Sequence, residues 1–97
     1  MKYAQGRIAR IRQRAFQQSF GRRVRALRRL GKLTQGDLAH ATGLTRQHIH
    51  HVETGQAMPT LWNSVAIAEA LSVGVTALVL LPRRSARTRT GVKEAAQ

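Results

Sequence analysis

The 97-residue chain has no cysteine, which excludes disulfides and thiolate metal sites and is compatible with a reducing compartment. Aromatic residues are few. Two phenylalanines, one tryptophan and one tyrosine leave any core to be built from Leu, Val, Ile and Ala. The longest apolar run, residues 75–81, is broken by Thr76 and falls far short of the roughly 20 apolar residues needed to span a bilayer. The first residues carry Arg7, Arg10, Arg12 and Arg14 without a long apolar stretch, so no secretory signal is expected. A soluble, cytoplasmic chain without a membrane partner is expected. Acids are scarce: Asp37, Glu53, Glu69 and Glu94. With two or three of these in structural positions, no carboxylate pair or nucleophile–base constellation can be assembled. Neither an enzyme nor a cofactor is expected.

Base is abundant, and its placement is uneven. Residues 1–32 hold eleven Lys and Arg and no acid, residues 33–82 are net −2, and residues 83–97 are net +4, giving +13 overall. Lysines and arginines that neutralise phosphates release condensed counterions, so a polyanion is the natural partner.

The chain divides into three parts. Residues 1–18 form a basic arm; Ile8, Ile11 and Ala15 can share a helical face, but the arginine density leaves open whether the arm is a stable helix. Residues 19–81 read as an all-α domain. Its first helix is predicted from Ser19, as N-cap, to Leu30, with Phe20, Val24, Leu27 and Leu30 as its apolar stripe and Gly31 as its end. A fourth helix starts at a Thr60 cap and buries Leu61, Val65, Ala68 and Leu71, and a short fifth turns Val75, Leu78 and Val79 inward. From Pro82, residues 82–97 read as a disordered basic tail.

The segment between these helices, LTQGDLAHATGLTRQHIHHVETG, is the most specific. Thr34 caps a helix with Asp37 three residues on, in capping-box position, and Leu33 and Leu38 flank the cap as a hydrophobic staple. Gly43 supplies the left-handed residue that stops this helix. The device then repeats with Leu44, Thr45 and Ile49. Counting Gln35 as one, Ala39 is fifth, Gly43 ninth, Ile49 fifteenth and Val52 eighteenth. Two helices crossing steeply need, in that order, a small contact residue, a turn glycine and two apolar anchors. Such a unit lets its second helix enter a DNA major groove.

Arg28, Thr34-Gln35, Leu38-Ala39, Gly43-Leu44-Thr45, Ile49, residues 52–55, Pro59, Ile67-Ala68 and residues 71–73 together resemble the five-helix, lambda-repressor-like domain of the Cro/phage-repressor family. This is the xenobiotic-response-element type of helix-turn-helix, and the likeness covers about sixty residues. It implies a sequence-specific transcriptional regulator of repressor type, acting as a homodimer on double-stranded DNA and associated with the nucleoid. It assigns the outer face of the third helix, Arg46, Gln47, His50 and His51, to base edges. Arg suits the paired acceptors of guanine and Gln the donor–acceptor pair of adenine. Gln35 is implied to hold a phosphate at the start of the second helix, where N–H groups and the helix dipole favour an anion. Thr34, Thr45, Arg22 and Gly55 complete the candidate phosphate set. Arg28 and Glu53 are implied to form a structural ion pair, and Glu53, in an otherwise uncharged junction, needs such a partner.

Three readings stay open. The segment 75–81 is either a dimer surface or a closure of the core. Trp62 and Ser64 depart from the family pattern: Trp62 stands where a solvent-facing residue is usual and Ser64 where an apolar one is. Trp62 either covers the arm, sits in a subunit interface or shields the local core, and a one-residue shift of the fourth helix would also account for both. His48, His50 and His51 lack the spacing of a closed metal site, so no metal is expected, and protonation of His50 or His51 is expected to strengthen DNA affinity. Rival functions are an antitoxin that binds a toxin and represses their shared operon, and a basic RNA-binding or bridging protein.

Overall fold

The computed structural model describes residues 2–80, and side chains from residue 6 onward. Among them are five helices and no strand: α1 (Lys2–Leu30), α2 (Gln35–Thr42), α3 (Arg46–Glu53), α4 (Leu61–Ala70) and α5 (Thr76–Val79). The tail, residues 82–97, and Leu81 lie outside the described residues.

The first correction concerns the arm. α1 is one helix of 29 residues, about 43 Å long at 1.5 Å per residue. Ser19 is therefore not an N-cap; it is buried mid-helix. The cause is compositional. The arm is rich in Arg, Gln and Ala, which are good helix formers, and has no proline to stop a helix.

The second correction concerns the stripe of α1. Phe20 and Val24 are fully buried, but Leu30 is 78% exposed. In the last turn, Arg28 faces the core side in its place, because a buried carboxylate waits there on α3. The helix ends with Gly31 N–H donating to Leu27 and Leu33 N–H to Arg28, and the left-handed residue is Lys32 (φ 60°), one position after the glycine.

α2 and α3 start as their sequences require. Asp37 N–H donates to Thr34 Oγ1 and Thr34 N–H to Asp37 Oδ2, both at 2.9 Å, which closes the capping box. Gly43 takes φ 76°, ψ 11°. Thr45 Oγ1 accepts from His48 N–H at 3.0 Å. Every helix gives the core at least one buried apolar residue: Phe20 and Val24, Leu38 and Ala39, Ile49 and Val52, Ile67 and Ala68, and Leu78.

α4 shows a third correction. Its buried residues are Ser64, Ile67 and Ala68, while Leu61 is 77% exposed. Burying serine is inexpensive here because its hydroxyl donates to Thr60 O at 2.9 Å, so no polar atom is stranded. The segment after α4 closes the core: Leu78 is buried, Val75 and Val79 pack against it, and Leu80 points out. The Arg23 guanidinium donates to the carbonyls of Leu78 and Leu80, tying α5 to α1.

Candidate nucleic-acid interface

α3 has two faces set by its periodicity. Ile49 and Val52 are fully buried, and Arg46, Gln47 and His50 are exposed on the other side. These three residues and Gln35, the first residue of α2, line one open cleft. The helix-turn-helix unit thus presents the N-terminal half of α3 beside the N-terminus of α2. His51 does not belong to this cleft: it is half-buried, and its carbonyl accepts from the amides of Gln56 and Ala57.

A polar network lies under the cleft. The Arg28 guanidinium grips Glu53 through two bonds, Nε to Oε2 at 2.6 Å and Nη2 to Oε1 at 3.0 Å, and its Nη1 donates to Leu33 O at 2.7 Å. Both side chains are buried, and the hydrogen bond to Glu53 raises the arginine pKa above its ordinary value. Gln35 Nε2 donates to Glu53 Oε1 at 3.1 Å and lies 3.5 Å from His50 Nδ1. Nothing in the sequence pointed to this use of Gln35. The Gln35 amide nitrogen is thus turned to Glu53 and toward His50.

The remaining candidate phosphate contacts fall differently. Thr34 and Thr45 are exposed at the two helix starts, where both hydroxyls accept the capping bond. Arg22 is exposed on α1, outside the cleft. Gly55 has another task. Its N–H donates to Val52 O, its carbonyl accepts from Gln17 Nε2, and at φ 79° a Cβ there would sit 3.1 Å from Gln18 Cγ. Gly55 is the close contact between the end of α3 and α1, and its amide is already engaged within the fold.

Gly21 was not legible as a functional position, yet it sets where α3 lies. A Cβ at Gly21 would fall 2.3 Å from Val52 O and 2.7 Å from Glu53 O. Only a missing side chain lets the two helices approach that closely. The available signal was a glycine inside a helix, which loses about 1 kcal/mol against alanine and so wants a packing reason.

The basic half of α1 flanks this unit. Arg7, Arg10 and Arg14 recur every three or four residues, and Arg14 with Gln17 and Gln18 lines a second groove shared with Thr54, Gly55 and Gln56 at the end of α3. Among the described residues no helix is long and apolar enough to cross a membrane, and no group of three His, Cys, Asp or Glu side chains gathers in metal-binding fashion.

A family model described as a helix-turn-helix domain matches residues 19–81. The chain belongs to the helix-turn-helix family. The chain is similar to an immunity repressor protein of Bacillus phage phi105, 37% identical over 59 residues. Those residues are 61% of this chain and 41% of that protein, so the chain spans about two fifths of the relative's length. The restriction-modification controller protein C.AhdI from Aeromonas hydrophila is 38% identical, with a TM-score of 0.62 over 63% of this chain and 92% of that one. A hypothetical transcription factor, NHTF, from Neisseria is 28% identical, with a TM-score of 0.65 over 69% of this chain and 77% of that one. The helix-turn-helix fold and family are those of sequence-specific DNA-binding transcriptional regulators, which bind double-stranded DNA and commonly dimerise. The match begins at residue 19, so the basic half of α1 lies outside it.

Proposed function

We propose that the chain represses transcription by seating α3 in the major groove of its operator, with Arg46, Gln47 and His50 facing base edges. One observation supports this most: those three polar side chains stand exposed on a rod whose opposite face, Ile49 and Val52, is sealed in the core. A fixed rod can discriminate, because bidentate pairs give about 1–3 kcal/mol of base preference only when their geometry is held.

Phosphates are met by the first turn of α2, by Thr34 and Thr45, and by the Arg7, Arg10 and Arg14 row of α1. The row adds affinity without reading sequence. A single recognition helix contacts few base pairs, so two copies acting on half-sites about 34–36 Å apart supply the specificity. Footprinting of the purified chain on DNA from its own upstream region tests the reading. A protected pair of half-sites, lost in Arg46→Ala, is the expected result. Protection that ignores sequence, or that is stronger on RNA, contradicts it.

A further inference from the structure

Gln35 stands between the buried ion pair and the outer surface of α3. Its Nε2 is 3.1 Å from Glu53 Oε1 and 3.5 Å from His50 Nδ1. Both Glu53 oxygens accept from Arg28, at 2.6 and 3.0 Å, and a carboxylate paired with a guanidinium only accepts hydrogen bonds. The Gln35 amide must therefore turn its NH2 group, not its carbonyl, toward Glu53. That group has two hydrogens. One goes to Glu53, and the other is left for the imidazole nitrogen 3.5 Å away. His50 Nδ1 then has to accept, and the proton of the neutral ring resides on Nε2.

We propose that Gln35 is a positioning residue that locks His50 as its Nε2–H tautomer, so that the ring offers a hydrogen-bond donor to the DNA groove. The DNA half of this inference rests on the function proposed above; the tautomer does not. A donor at that point matches O6 or N7 of guanine, N7 of adenine or O4 of thymine, and is mismatched to the amino groups of cytosine and adenine. The chain of contacts runs from Arg28 on α1 through Glu53 and Gln35 to His50. A pair that looks purely structural thus sets the polarity of a group on the reading face.

The test uses the full chain with 15N-labelled histidine, without DNA, at a pH where His50 is neutral. Long-range 1H–15N spectra distinguish the two ring tautomers. The native protein should show His50 wholly as Nε2–H, and Gln35→Met, which keeps the length and removes the amide, should show both forms. A tautomer mixture in the native protein, or identical populations in the two, overturns the proposal. Should Gln35→Met fail to fold, the contact is read in the native protein. A through-space signal between the Gln35 amide protons and the His50 ring supports it, and its absence overturns it.

A second arm compares duplexes that differ only at the base under His50. The native chain should prefer an acceptor over an amino group by roughly tenfold, and Gln35→Met should lose that preference. If the tautomer result holds and the preference does not change on substitution, the lock exists but does not read DNA. If no duplex is bound specifically, the function proposed above has failed and the tautomer result still stands.

Discussion

Gly21 of α1 lies so close to the carbonyl of Val52 that an added Cβ would be 2.3 Å from that oxygen. The contact fixes the depth at which the reading helix is set against its support. Because the obstacle is backbone, it cannot rotate aside. Gly21→Ala should therefore destabilise by about 2–3 kcal/mol through overpacking, although helix propensity alone predicts a gain of about 1 kcal/mol. Gly6→Ala, where the nearest atom is a flexible Arg10 guanidinium nitrogen at 3.7 Å, should be neutral or slightly stabilising. Denaturant unfolding of both variants checks the sign.

The Arg28–Glu53 pair should behave as a buried unit. Removing one partner, as in Arg28→Met, leaves an unpaired buried carboxylate and should cost about 3–5 kcal/mol. Replacing both, Arg28→Met with Glu53→Leu, should recover most of that loss. A double-mutant cycle on unfolding free energies measures it, and a coupling near zero would refute the burial argument.

Asp37 contributes to acid stability. Bonds from the Thr34 backbone N–H and side chain hold its carboxyl below the ordinary value of about 3.9. A folded-state pKa lowered in this way adds stability above the unfolded value, and that stability is lost as pH falls through the folded value. Asp37→Asn should thus flatten the fall in stability below about pH 4 and leave the neutral-to-basic limb of the stability profile unchanged in shape. Thermal melts across that range read the difference.

The basic row of α1 should act through charge alone. Replacing Arg7, Arg10 and Arg14 by Gln removes at most three phosphate contacts, so the slope of log affinity against log salt should fall by up to about 3. Site preference should survive. Substitution is preferable to deleting residues 1–18, because Gln17 bonds Gly55 and Phe16 packs on the core.

How far the sequence revealed this arrangement depended on the range of the interaction. Caps and turns are local, so Thr34, Asp37, Gly43, Thr45 and Thr60 could be read directly. The anchors Ile49 and Val52 followed from spacing. What the sequence left hidden was set mostly by neighbours distant in sequence. Leu30 yielded the core side of its turn to Arg28 because Glu53 lies there. Ser64 is a local exception, its hydroxyl bonded to Thr60 four residues earlier. The bond from Gln35 to Glu53 and the packing of Gly55 against α1 also join residues far apart in the chain. None of these leaves a periodic trace. The helical arm was open because its composition favours a helix while its pattern gives no face to bury.

The central claim is that the outer face of α3 carries sequence preference, and selection of binding sites from a random duplex library measures it most directly. The native chain should enrich a defined half-site. Arg46→Ala should lose about 1–3 kcal/mol at one base position, with non-specific affinity nearly unchanged. If Arg46→Ala enriches the same site as strongly as the native chain, or weakens all duplexes alike, α3 is not the reader.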